Sequence, residues 1–258
     1  MVERTSGGHA SEAGRDQEAG GHAGHSEVLL HVIACRTMNV FDIDVPVHGL
    51  DGHVLKLHGQ LSLPEEPGGL VLFAHGSGSS RFSPRNRFVA DLLNEEGLGT
   101  LLFDLLTEQE AADRVNVFDC ELLASRVLAA VHAMLRDPRT ASLPLGIFGA
   151  STGAAAALIA AARERHVKAV VSRGGRPDLA GRWLARVEAA TLLIVGGEDR
   201  DVLELNREAE EALDCEKQLA VIPRATHLFE EPGTLEEAAR LAADWFTRCL
   251  HGPQLTGA

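Results

Sequence analysis

Leu143-Pro144-Leu145-Gly146-Ile147-Phe148-Gly149-Ala150-Ser151-Thr152-Gly153-Ala154-Ala155-Ala156-Ala157-Leu158-Ile159-Ala160-Ala161-Ala162 is the stretch from which the rest of the chain can be read. Its first six residues read as a buried strand. Its last nine, rich in alanine and free of Gly and Pro, read as a helix. Between them stands Gly149-Ala150-Ser151-Thr152-Gly153, of the form G-x-S-x-G. A strand-to-helix turn this sharp needs small neighbours at both glycines, because a Cβ at either would meet the adjoining helix or strand. The same turn lifts the Ser151 hydroxyl clear of the sheet, at a helix N-terminus whose dipole favours developing negative charge. The pentapeptide alone is a weak signal, since Ser151 could simply cap the helix. Its setting makes it strong.

Outward from this turn, short apolar runs alternate with helical patterns. Residues 40–47 suggest a first strand, and 54–63 show the period-2 alternation of a strand with one buried face. Continuous apolar strands follow at 70–74, 99–103, 145–148, 167–171, 191–195 and 218–222, as in a sheet covered on both faces. Helices are predicted at 84–97, 119–137, 152–165, 204–213 and 234–250, the last opened by a capping box of Thr234 and Glu237. The alternation predicts an α/β fold with a mostly parallel sheet and right-handed crossovers. Its expected extent is residues 27–252, one domain, between an N-terminal tail over 1–26, read as disordered, and a C-terminal tail over 253–258. His9, His22 and His25 in the first tail are too loosely spaced to suggest a metal site.

Upstream, the strand at 70–74 runs into His75-Gly76-Ser77-Gly78. Acyl-transfer intermediates need two preorganised N–H donors. The residue after the nucleophile, Thr152, supplies one, and Ser77 of this loop is assigned the other. A phosphate-cradling loop would need a G-x-x-x-x-G-K-[ST] pattern, which is missing here. His75 is read as orienting the loop.

Downstream, the strand at 191–195 ends in Gly-Gly-Glu-Asp199-Arg-Asp201, and the strand at 218–222 leads to His227. Carboxylate and imidazole therefore follow the serine in chain order, on strand ends that share one edge of the sheet. Asp199 is the chosen acid and Asp201 the rival. His132, His166 and His251 sit within or beside helices and are read as surface or packing residues.

The formal net charge of −13 argues against a surface that neutralises nucleic-acid phosphates. Cys35, Cys120, Cys215 and Cys249 lack the spacing of a zinc site or disulfide framework and are read as reduced. With no run of 18 apolar residues and no signal peptide, the expectation is a cytoplasmic protein that does not engage a membrane, as monomer or homodimer.

Taken together, AHGSGSSRFSPRN (74–86), FGASTGAAAA (148–157), VVSRGGRPDLAG (170–181), LLIVGGEDRDV (192–202) and ATHLFEEPG (225–233) resemble the dienelactone hydrolase-related branch of the α/β hydrolases. The likeness covers roughly residues 40–250. It implies an α/β-hydrolase fold: an eight-stranded sheet whose second strand is antiparallel, with a Ser-Asp-His or Cys-Asp-His triad. Ser151, Asp199 and His227 match that pattern. Dienelactone hydrolases proper use a cysteine nucleophile, so the serine makes dienelactone itself a doubtful substrate. Similar domains also occur fused to phosphoribosyltransferase domains; at this length a second domain is not expected.

The chemistry this implies is hydrolysis of a small-molecule carboxylic ester through an acyl-enzyme, without metal or organic cofactor. Fewer than twenty residues separate the strand ending near Ser172 from the one starting near Thr191. A cap there is therefore expected to be minimal, and the substrate short or small. Arg81, Arg85 and Arg173 could hold an anionic group on it, although salt bridges to surface acids explain arginines equally well. Thioesterase, lactonase or peptidase activity would use the same triad, and a non-catalytic binding module is the reading outside enzymes.

Overall fold

The computed structural model describes residues 37–49 and 52–250. The readings of residues 1–26, Cys35, His251 and 253–258 lie outside them. In chain order the elements are β1 (Met38–His48), β2 (Val54–Pro64), β3 (Leu70–Ala74), α1 (Pro84–Glu95), β4 (Gly99–Phe103), α2 (Glu108–Ala111), α3 (Arg114–Phe118), α4 (Cys120–Arg136), β5 (Leu145–Ala150), α5 (Thr152–Ala161), β6 (Val167–Arg173), a 3₁₀ segment (Pro177–Arg186), β7 (Ala190–Gly196), α6 (Arg200–Ala212), β8 (Lys217–Ile222) and α7 (Thr234–Leu250).

The eight strands form one sheet in the order β1-β2-β4-β3-β5-β6-β7-β8. β2 runs antiparallel to both β1 and β4, and every pairing from β4 to β8 is parallel. Burial explains the strand composition. β3, β4 and β5 are buried at every residue, so their side chains are apolar except for Thr100, whose hydroxyl donates to Asn94 Oδ1 at 3.1 Å. β1 alternates because it is an edge strand with one face open. Residues of α4, α5 and α6 build the core on one face, and those of α1 and α7 build it on the other.

α5 is buried at all ten positions. It is wedged between the sheet, α4 and the 3₁₀ segment, a space that alanine fits and larger residues would overfill. This helix follows the Ser151 turn, which β5 places at the centre of the sheet.

Several local features differ from the sequence reading: the 3₁₀ segment has no counterpart in it, and α6 starts four residues earlier than predicted. The Thr234 hydroxyl donates to the Glu231 carbonyl at 2.7 Å, and the Glu237 amide bonds the Gly233 carbonyl, so the capping box predicted at Thr234 and Glu237 is not formed. Gly233, at φ +82°, stands just before the helix, and Thr234 lies within its first turn. A capping box does form at Thr107 and Glu110, on α2. α2 and α3 were not foreseen, because four and five residues cannot display a helical period.

Candidate active site

β5 delivers Ser151 in a backbone state that few residues occupy. Its φ is 51° and ψ −125°, strain typical of a position where the surroundings over-determine the chain. The flanking glycines show what does the determining. A Cβ on Gly149 would lie 2.5 Å from Ala154 Cα, and one on Gly153 would lie 2.2 Å from the Ala74 carbonyl oxygen. Both obstacles are backbone and cannot rotate away. Gly153→Ala should therefore push α5 off β3 and cost at least about 3 kcal/mol of stability, measured as a lowered urea midpoint at unchanged slope. An unshifted midpoint would contradict this account of the turn.

The loop after β3 runs directly against Ser151. A Cβ on Gly76 would stand 2.9 Å from Ser151 Cβ. The Ser77 amide donates to Thr152 Oγ1 at 2.9 Å, so the two residues assigned as oxyanion donors adjoin one another. His75 orients the loop: its Nε2 accepts from the Leu105 amide at 3.1 Å, which leaves Nδ1 to carry the proton toward the Gly76 carbonyl at 3.0 Å. Burial depresses the His75 pKa, against the pull of the Gly76 carbonyl and the Asp104 charge.

Asp199 leaves the end of β7 and His227 the loop after β8, and His227 Nδ1 lies 2.6 Å from Asp199 Oδ2. Gly196 permits the approach of these two loops, since a Cβ there would come within 2.3 Å of the Ala225 carbonyl oxygen. Asp201, the other candidate acid, is exposed in the first turn of α6, and it is Asp199 that lies beside the imidazole. The histidine loop is fixed by features that no sequence signal announced. Glu231 accepts from both the amide and the hydroxyl of Thr226, at 3.0 and 2.8 Å, and those bonds hold its carboxyl below the usual range. Arg224 and Phe229, on either side of His227, both have positive φ.

The turn after β6 ties the two halves together. The Ser151 amide bonds the Arg173 carbonyl, and the Arg176 amide bonds the Ser151 carbonyl. In the same turn a Cβ on Gly174 would lie 3.0 Å from the His227 carbonyl oxygen and 3.8 Å from its Nδ1. Ser151, the imidazole and its carboxylate therefore border one rim of the sheet.

The three arginines occupy different settings. Arg81 is ion-paired with Asp104, and Arg85 lies 3.4 Å from Glu230. Arg173 is 8% exposed, beside the rings of Phe148 and Phe229, with its Nη1 buried and without a hydrogen-bond partner. Burial first, and then the charge of Arg85, push its pKa down to about 10. The cation thus costs the fold stability at neutral pH, a cost that fades as pH rises through about 10.

The fold recurs in a known protein. The crystal structure of dienelactone hydrolase from Anabaena variabilis is 51% identical to this chain, covers 83% of it and 99% of its own length, and superposes with a TM-score of 0.78. The chain belongs to the dienelactone hydrolase-related α/β hydrolases. Two Mycobacterium tuberculosis proteins, from strains CDC 1551 and H37Rv and provisionally named phosphoribosyl transferases, are each 61% identical over 200 residues. That match covers 77% of this chain but only 45% of those relatives' length. Est1E from Butyrivibrio proteoclasticus shares the α/β-hydrolase fold at 17% identity and a TM-score of 0.64. No protein-family model matches the chain. Among the described residues of this α/β hydrolase, no helix is long and apolar enough to cross a membrane.

Proposed function

We propose that this chain hydrolyses carboxylic esters through a serine acyl-enzyme, with Ser151 as nucleophile, His227 as general base and Asp199 as its orienting carboxylate. The observation that carries this reading is the 2.6 Å contact between His227 Nδ1 and Asp199 Oδ2 on the rim that also holds the strained Ser151 turn. With Nδ1–H donated to the carboxylate, the Nε2 lone pair is the free base. It takes the Ser151 proton as Oγ attacks the ester carbonyl. The carbonyl electrons move onto oxygen, held by the amides of Thr152 and Ser77. Collapse of the intermediate expels the alkoxide, which takes the proton back from Nε2 and leaves an acyl-serine. Water, deprotonated by the same nitrogen, then releases the acid.

The chemistry calls for no metal or organic cofactor, and the partner is the small-molecule ester itself. Thioester, lactone and peptide substrates would engage the same triad, and a substrate panel separates them. The decisive experiment is covalent labelling. A fluorophosphonate probe should modify wild-type protein on the peptide holding Ser151 and leave Ser151→Ala unmodified. A folded wild type that stays unlabelled would favour a binding module over an enzyme.

A further inference from the structure

A cavity of about 810 Å³ opens beside the triad rather than over it. That is room for a drug-sized group. One end touches Gly76, Ser77 and Gly78 of the oxyanion loop, and the floor is apolar: Leu57, Leu105, Leu106 and Leu123, with Val117 above them. Most charges of the lining are already answered, and Glu108 adds an exposed carboxylate that opposes an anionic acyl group. Lys56 and His58 both bind the Asp44 carboxylate, at 3.0 and 2.8 Å, and Arg81 is paired with Asp104.

Polar locks hold this space open. Both the amide and the guanidinium of Arg81 bond Asp104, and His75 Nε2 takes the Leu105 amide, so the loop after β4 is pinned to the oxyanion loop. Farther out, Arg126 is 2% exposed on α4, with Nη2 on Glu110 Oε1 and Nη1 on the His48 carbonyl. Glu110 in turn caps α2 through Thr107. A buried ion pair adds little net stability, because desolvation offsets most of the attraction. Here the pair fixes a four-residue helix as a wall of the cavity. An apolar floor kept from collapsing gains free energy when an apolar group covers it.

Which part of an ester enters follows from the proton path. The leaving-group oxygen must stand beside His227 to be protonated. The described lining of the cavity comes wholly from residues 56–123, with nothing from the loops after β6, β7 or β8. The leaving group is therefore directed away from it and the acyl group toward it.

We propose that this cavity is the acyl-binding site, and that the substrates are esters of bulky, uncharged, apolar acids. This rests on the serine-hydrolase reading above. It replaces the short or anionic acyl group expected from sequence, where α2 and α3 could not be seen.

The test holds p-nitrophenol as leaving group and varies the acid: acetate, hexanoate, 4-phenylbutanoate and the glutarate monoester. kcat/KM should be at least tenfold higher for hexanoate and 4-phenylbutanoate than for acetate, and higher than for the anionic glutarate. Val117→Trp, on the outer helix α3, should cut the 4-phenylbutanoate-to-acetate ratio at least tenfold, with an unchanged thermal midpoint reporting an intact fold. Leu106→Ala should raise that ratio. A flat or glutarate-favouring series, with fluorophosphonate labelling intact, overturns the acyl site but leaves the serine hydrolase standing. Selectivity that instead follows the alcohol of a series of acetate esters also overturns it. Hydrolysis of none of these esters overturns the parent reading and this one with it.

Discussion

Ser151→Ala is expected to lower kcat on a p-nitrophenyl ester by roughly 10⁶-fold, with His227→Ala falling about as far. The two belong to one proton-transfer unit, so combining them should add almost nothing to either loss. What survives is the contribution of binding and of the oxyanion donors, roughly 10³-fold over water. The alanine variant should also fold normally. Ser151 makes no side-chain capping bond, and alanine carries the same Cβ into the φ of 51°, so no new strain arises. Steady-state rates, with a burst titration to count active sites, measure the effect. A variant within tenfold of wild type would remove Ser151 from the chemistry.

Asp199→Asn is expected to cost roughly 10⁴-fold in kcat with little change in KM. The geometry predicts more than a lost charge. In wild type, Nδ1–H points at a carboxylate oxygen 2.6 Å away and Nε2 is left bare. An asparagine amide group turned toward Nδ1 would donate to it, move the imidazole proton to Nε2 and protonate the very atom that must act as base. Asp201→Asn is the matched control, because that residue is exposed on α6 and should change the rate little. Equal losses at both positions would return the acid to doubt.

Most of the architecture was legible because burial writes itself into composition. β3, β4 and β5 are covered on both faces, so their runs are apolar but for Thr100, and the glycines around Ser151 face backbone obstacles that exclude any side chain. The positions of Ser151, Asp199 and His227 at strand ends could be read because chain order and the strand pattern together fix where each residue emerges. What stayed hidden depends on partners distant in sequence or on elements too short to carry a period. Arg126 reaches Glu110 and the His48 carbonyl across the fold, and nothing near Arg126 in the chain announces either. Nothing near Arg173 in the chain announces that it is buried beside the rings of Phe148 and Phe229. The Thr234–Glu237 pattern has the spacing of a capping box, yet the helix begins one residue too early for it to close.

The bond from the Ser77 amide to the Thr152 hydroxyl, 2.9 Å long, bears on how the proposed enzyme would tell a reacting ester from a resting one. A neutral carbonyl that displaces the hydroxyl trades one ordinary acceptor for another and gains almost nothing. Negative oxygen makes a bond about twice as strong, so only the reacting species is rewarded for the exchange. The threonine would then serve as a placeholder, discounting ground-state affinity and leaving the barrier to feel the full pull of the amide.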